Sequence, residues 1–168
     1  MKIALVALLF AASALAQNPP AGLPAACGSG NVSFKVKLDN TQQTETPLEA
    51  GRARVYFIHD SGTAAVFAYP TTKLGMDGAW VGANHSNSYF FISVEPGEHH
   101  LCASLQTSLV ADRAEFAHFT AEAGKTYYFR TRLIMSREVE LLDLEPIDSD
   151  QGRHLIASYP LSVSTPKN

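Results

Sequence analysis

From residue 52 onward, the sequence is a series of short segments of strand composition separated by turn signals about every ten residues. Most of these segments are rich in Val, Ile, Tyr, Phe and Thr, the residue types that favour strands. No helical segment of about 10–15 residues separates them, which argues against a parallel α/β sheet. The pattern predicts an all-β fold, an antiparallel β-sandwich with eight or nine short strands.

One further strand is predicted before this series, where Phe34, Val36 and Leu38 alternate with polar residues. The Asp77-Gly78 pair predicts a two-residue hairpin turn, and Ala123-Gly124-Lys125 predicts a second hairpin. Asp148–Ala157 is the predicted short C-terminal helix, capped by Asp148 or Ser149 and stopped by Pro160. The predicted strands are Ser33–Asp39, Arg52–Ile58, Ala64–Tyr69, Lys73–Met76, Ala79–Val81, Ser88–Val94, His99–Leu105, Glu115–Ala121, Thr126–Ile134 and Val139–Glu145, the last with a phase slip that predicts a bulge or a sheet edge.

The N-terminus has the three parts of a secretory signal peptide. Lys2 supplies the positive charge, an apolar run follows, and Ala14-Leu15-Ala16 is a small-residue cleavage site. The apolar run is too short to span a bilayer, which takes about 20 residues. We therefore predict an exported protein, periplasmic or extracellular and not transmembrane, cut after Ala16. The predicted organisation is a signal peptide (1–16), an N-terminal arm with one strand and a linker (17–50), and a β-sandwich domain (51–165).

Two cysteines, Cys27 and Cys102, remain in the predicted mature chain. An even cysteine count in an exported protein predicts a disulfide, and two unpaired buried thiols are the alternative. Leu23–Cys27 is a poor match to a lipoprotein cleavage box, so no lipid anchor is predicted. The formal net charge of −3, which becomes −4 once Lys2 is removed, argues against a nucleic-acid partner.

Aromatic residues lie on both faces of two predicted strands. Tyr89 and Phe91 oppose Phe90, and Tyr128 opposes Tyr127 on the next such strand. A sandwich strand needs only one apolar face, so something must cover the second. The alternatives are the C-terminal helix, the N-terminal arm, a ligand or another chain.

The segment from Trp80 to Tyr89 combines the single tryptophan with amides, hydroxyls and an imidazole. Such a loop can bind a polar ligand such as a sugar, by stacking and hydrogen bonds. The alternative is an apolar anchor followed by a polar loop that closes a hairpin. Together with the outward aromatics, the candidate binding surface comprises Trp80, Asn84, His85, Asn87, Tyr89, Phe91 and Tyr128.

The chain has six histidines, and none are spaced as in known zinc motifs. His99 is in phase with Leu101 and is predicted to be a core-rim residue, whereas His100 is in phase with Cys102. The candidates for a metal site are His59, His85, His100 and His118, although no cofactor is predicted. No nucleophile elbow, phosphate-binding loop or dinucleotide fingerprint is present, so no catalytic residues are predicted.

Several segments in order resemble the bacterial domain of unknown function 2846, from about Gly51 to Leu161. They are Gly51–Phe57, Met76–Gly78 with Val81-Gly82, Ser88–Phe91, Pro96–His99 and Ala123–Tyr128. The progression is also similar to the PEGA-type, immunoglobulin-like sandwich of bacterial envelope proteins. The resemblance implies a secreted or envelope-attached β-sandwich without an established activity.

These observations predict a non-catalytic module that binds or scaffolds an envelope protein or a polar ligand in the bacterial cell envelope. A histidine-based, metal-binding periplasmic protein is the alternative. An envelope hydrolase is the weaker alternative, because no nucleophile or acid pair is visible in the sequence.

Overall fold

The computed structural model describes residues 26–41, 47–61, 71–106, 114–135 and 140–167. The predicted signal peptide and the predicted strand Ala64–Tyr69 lie outside these ranges. Within them the chain forms ten strands and one helix. The elements are β1 (Phe34–Asp39), β2 (Ala53–His59), β3 (Thr71–Met76), β4 (Ala79–His85), β5 (Ser88–Val94), β6 (Gly97–Leu105), β7 (Ala114–Ala121), β8 (Thr126–Met135), β9 (Glu140–Ile147), α1 (Ser149–Ser158) and β10 (Leu161–Pro166).

The described strands form two sheets. One has six strands in the order β1-β10-β5-β2-β8-β9, and the other has four in the order β4-β3-β6-β7. The apolar residues between the sheets include Val55, Phe57, Leu74, Leu101 and Phe129, all nearly or fully buried. This arrangement confirms the predicted β-sandwich. Two strand pairs, β2 with β8 and β10 with β5, are parallel, so the larger sheet is mixed instead of purely antiparallel.

The predicted hairpin at Asp77-Gly78 is confirmed. Both residues have positive φ, 50° and 83°, as a two-residue type I′ turn requires. The turn joins β3 to β4, and the register of this pair shifts between Leu74 and Gly75. Such a shift reverses which faces the following side chains occupy.

The predicted hairpin at Ala123–Lys125 is wrong, although the turn itself is present. Gly124 has a φ of 78°, but the turn leads from β7 in the smaller sheet to β8 in the larger one. β8 pairs with β2 and β9, and β7 pairs with β6. Turn residues show where the chain reverses, whereas the pairing depends on which sheet the next strand can join.

The two ends of the described chain meet at one edge region of the larger sheet. β1 pairs with β10 along its whole length, from Phe34↔Pro166 to Asp39↔Leu161. Strand β10 was not predicted, because Pro160 was interpreted only as the end of α1. At the other edge lies β9, as its phase slip predicted.

Helix α1 begins close to the predicted position. The Asp148 carboxylate accepts hydrogen bonds from the backbone N–H groups of Asp150 and Gln151, both 2.9 Å long, and so caps the helix. These bonds lower the pKa of the exposed Asp148 carboxyl. No helix in the described part of the chain is long and apolar enough to cross a membrane.

A disulfide joins Cys27 to Cys102, with Cα atoms 5.1 Å apart, as predicted. Cys102 lies in the middle of β6, so the bond fastens the N-terminal arm to the outer face of the smaller sheet. A Cβ atom on Gly28 would lie 2.4 Å from the Trp80 ring, and one on Gly75 would lie 3.0 Å from Cys27. Glycine at both positions therefore permits the arm to lie directly on the sheet.

Loss of the disulfide is expected to destabilise the fold strongly. The bond joins residues separated by 75 positions, and closing a long loop restricts the unfolded chain. We expect Cys27→Ser to lower the free energy of unfolding by roughly 2–5 kcal/mol in urea titration. Dithiothreitol should destabilise the wild type to the same extent and leave the variant unchanged. Equal stability of the wild type with and without reductant would contradict this expectation.

Candidate functional site

The outer face of the six-stranded sheet carries the second set of aromatics noted in the sequence. Tyr56 stacks on Tyr128 with ring centroids 5.2 Å apart and lies 5.9 Å from Tyr89. Helix α1 covers this cluster with Leu155, and the helix backbone lies so close that a Cβ on Gly152 would be 2.3 Å from the Tyr128 ring. Of the alternatives left open by the sequence, the C-terminal helix therefore provides the cover.

This burial corrects part of the predicted binding surface. Tyr89 and Tyr128 are each only 7% exposed, so they belong to a second core and not to a surface. Phe91 is half-buried at the rim of this core, 5.3 Å from Tyr56. The guanidinium of Arg54 lies 4.9 Å from the Phe91 ring centroid and covers it further.

The polar segment from Trp80 to Asn87 does not form one surface either. Trp80 and Asn84 both lie in β4, but the register shift between Leu74 and Gly75 places their side chains on opposite faces of the sheet. Trp80 lies on the outer face beneath the N-terminal arm, where its indole contacts the Lys73 ammonium at 4.4 Å. Asn84 is fully buried and donates from Nδ2 to the backbone oxygen of Phe57 at 3.1 Å.

The remaining two residues of that segment make local contacts. His85 shares a hydrogen bond of 2.9 Å with the Thr71 hydroxyl. Asn87 has a φ of 53° in the turn after β4, and its side-chain oxygen accepts from the Ser61 N–H at 2.9 Å. These hydrogen bonds hold the short connection between β4 in the smaller sheet and β5 in the larger one. The polar side chains of the segment are therefore used within the fold and do not form a polar binding loop.

Buried polar side chains collect at the end of the sandwich that contains this crossing. His59 shares a hydrogen bond of 2.8 Å with the Thr72 hydroxyl, and both residues are fully buried. The other ring nitrogen of His59 and the side-chain oxygen of Asn84 have no hydrogen-bond partner within the described ranges. The Ser88 and Ser162 hydroxyls are hydrogen-bonded to each other at 2.7 Å. Sequence inspection missed this cluster, because its members come from separate strands and share no motif.

Burial determines the charge of His59. It lowers the pKa of His59 to about 4, an effect that nearby His85 reinforces and Asp60 partly opposes. The ring is therefore neutral at pH 7. Because His59 and Thr72 are enclosed, we interpret this pair as structural, and His59 is not available to a metal from solvent.

A charged network lies beside the aromatic cluster, at the end of β2. The Tyr159 hydroxyl donates to Asp60 at 2.9 Å, and an Arg130 nitrogen lies 3.6 Å from the second Asp60 oxygen. Arg130 also pairs with Glu145 on β9. Burial and the Asp60 carboxylate raise the pKa of Tyr159 to about 12, so its hydroxyl stays protonated and fastens the end of α1 to the sheet.

His99 is held at the rim of the core, as its phase predicted. Its ring nitrogens are 2.6 Å from an Asp77 oxygen and 2.8 Å from the Glu95 backbone oxygen, and its ring packs on Phe119. Burial disfavours the charged form, but the bonds to Asp77 and Glu95 outweigh burial and raise the pKa of His99. These contacts support the turn into β6.

Two of the predicted metal candidates come together. His100 on β6 lies directly opposite His118 on β7, with ring centroids 6.3 Å apart. His85 is on β4, which β3 separates from β6, so it does not join them. Among the residues that the structure describes, no three potential ligands converge on one point.

Phe116 is the most exposed large apolar side chain of the described residues, at 64%. It lies on β7, the outermost strand of the smaller sheet, next to Cys102 of β6. We call the outward-facing row of this strand, Phe116, His118 and Thr120, the β7 edge. Sequence inspection did not select Phe116; the available signal was that Phe116 and Phe119 fall on opposite faces of one predicted strand.

Comparison with known proteins gives one family. Residues 49–143 match the family model described as "Protein of unknown function (DUF2846)". The match ends in β9, short of the predicted limit at Leu161, and leaves α1 and β10 outside it. No curated protein and no solved structure matches the chain. The likeness to PEGA-type sandwiches stays a prediction.

Acid is expected to destabilise the fold through His59. Because the pKa of His59 is about 4 in the folded chain and near 6.5 when unfolded, the unfolded state binds the extra proton between these values. Stability is therefore retained above pH 6.5 and falls as the pH approaches 4. The loss attributable to His59 should reach roughly 2–3 kcal/mol by about pH 4.5.

The measurement is urea unfolding from pH 7.5 to 4.5 for the wild type and His59→Gln. The difference between the two removes the contribution of groups that both proteins share. His154→Gln, a change at an exposed helix position, should keep the wild-type pH dependence. Parallel pH profiles for the wild type and His59→Gln would show that His59 is not the responsible group.

Proposed function

The chain belongs to DUF2846, a family of unknown function, and we propose that it is a non-catalytic binding module of the bacterial cell envelope. Phe116 on the β7 edge is the single observation that carries this proposal. A large aromatic side chain with most of its surface in solvent, on a strand that has no second neighbour among the described strands, offers a partner both an apolar contact and backbone groups to pair with.

The contrast with the other aromatics supports the choice of the β7 edge. The outward rings of the larger sheet, Tyr56, Tyr89 and Tyr128, are covered by α1 and are internal. The inner rings, such as Phe57 and Phe129, fill the space between the sheets. Among the described residues Phe116 has neither kind of cover, which leaves its apolar surface open to a partner.

Strand β7 also has a long and regular backbone with which another strand could pair. β7 is eight residues long, contains neither proline nor lysine, and keeps a regular register with β6 throughout. Of the features that usually keep an edge unpaired, which are charges, prolines and bulges, β7 has only the charge of Glu115. An extended segment of an envelope protein could pair with the backbone of β7 through hydrogen bonds. Phe116 would then supply an apolar contact beside it.

Export is the second part of the proposal. The Cys27–Cys102 bond supports it, because structural disulfides persist in oxidising compartments such as the periplasm. The signal-peptide pattern before Ala16 is independent support from the sequence. A soluble, processed chain in the periplasm or outside the cell is the expected form.

The mass of the mature protein tests export. We expect the membrane-free extracytoplasmic fraction to contain Gln17–Asn168, lighter by two hydrogens before reduction than after it. A matched variant without the apolar run Ile3–Ala12 should stay in the cytoplasm with an uncut N-terminus. Recovery of the wild type with a lipid on Cys27, or uncut and reduced in the cytoplasm, would contradict the proposal.

Site-specific photo-crosslinking tests the binding surface. p-Benzoylphenylalanine replacing Phe116 should give, in living cells, one reproducible adduct of defined mass that excess wild-type protein suppresses. The control position is Val163, which is 47% exposed but lies on β10 of the other sheet. An absence of adducts at 116, or the same adducts at both positions, would argue against the β7 edge as the binding surface.

A further inference from the structure

The outer face of the smaller sheet holds two imidazoles in direct cross-strand register. His100 and His118 are partners in the β6–β7 pair, with ring centroids 6.3 Å apart and ring planes inclined by 31°. Directly opposite residues of antiparallel strands have Cβ atoms about 4.5–5.5 Å apart and side chains on the same face. The His118 side chain is exposed and that of His100 is 25% exposed, so solvent ions reach both rings.

This spacing fits shared coordination of one metal ion. Imidazole nitrogens bind divalent transition metals at about 2.0–2.1 Å, which places two rings on one tetrahedral ion with centres about 5 Å apart. The observed separation of 6.3 Å is slightly longer, a difference that side-chain rotation can span because neither ring is enclosed.

The backbone around the pair is held in place. The His100 N–H donates to an Asp77 carboxylate oxygen at 2.8 Å. At the next outward position of β6, Cys102 is bonded to Cys27. Two ligands on a fixed ladder lose little conformational freedom when they bind an ion, which favours chelation over binding by single histidines.

The local charge also favours a cation. A Glu98 carboxylate oxygen lies 3.6 Å from Nε2 of His100, on the same outer face. The outward neighbours of the pair on β6 and β7 are Glu98, Cys102, Phe116 and Thr120, which include an acid and no lysine or arginine. Glu98 therefore adds negative charge beside the pair, and no adjacent cation on these strands opposes binding.

We propose that His100 and His118 form a two-histidine site for a divalent transition metal, with water in the remaining positions. Imidazole suits copper, nickel and zinc, and at equal geometry the affinity order favours Cu²⁺. The proposal concerns a metal site and does not depend on a protein partner at the β7 edge. It follows from the register of β6 and β7, which the histidine spacing in the sequence does not reveal.

Calorimetric titration of the purified, disulfide-bonded protein with Cu²⁺ tests the site. We expect one ion per chain at this site, with an affinity that falls about tenfold or more in His100→Gln and in His118→Gln. His154→Gln removes an exposed histidine from α1 and should bind like the wild type. Thermal unfolding without metal should show that all three variants are folded.

Electron paramagnetic resonance of the Cu²⁺ complex gives a second readout. The wild type should show coupling to two imidazole nitrogens, and each single variant at positions 100 and 118 should show one. Equal affinity in all variants would assign the ion to another part of the chain and overturn the proposal. A wild-type spectrum with one imidazole would overturn it as well, because the pair would not act together.

Discussion

Strand β2 is the element on which the rest of the structure depends, because both of its faces are buried. All seven of its residues, from Ala53 to His59, are enclosed. Val55 and Phe57 face the smaller sheet, whereas Tyr56 and Ile58 face the helix side. A strand with two apolar faces needs cover on both. The second sheet provides one cover and helix α1 the other, so the fold has three layers in its middle and two elsewhere.

The sequence allowed the fold class and most strand positions to be predicted, because alternation and turn chemistry are local properties. Asp77-Gly78 determined its own turn, and Asp148 determined the start of α1. Which strands pair with each other was harder to predict from the sequence. The turn at Gly124 was correctly located, yet it connects two sheets, since neither β7 nor β8 carries a local signal for its partner. β10 was missed because Pro160 was interpreted only as the end of α1, and the short segment after it carries no turn signal.

The candidate site was harder to predict than the fold, for a geometric reason. Strict alternation would place Trp80 and Asn84 on one face of β4, but the register shift between Leu74 and Gly75 puts Trp80 outside and Asn84 inside. Side-chain direction after a bulge depends on one extra residue that no composition rule locates. The His100–His118 pair likewise depends on long-range register, and the exposure of Phe116 depends on which strand is outermost.

The disulfide also has a consequence for the order in which the chain acquires its structure. Cys27 precedes Cys102 by 75 residues in the chain, and Cys102 lies in β6, the strand that holds β3 and β7 together. With two cysteines there is only one intramolecular pairing, so no mispaired isomer competes within the chain. Thiol oxidation takes seconds to hours, slower than the pairing of neighbouring strands. The arm is thus fastened last, over a sheet already assembled, and the bond locks a finished structure instead of guiding its formation.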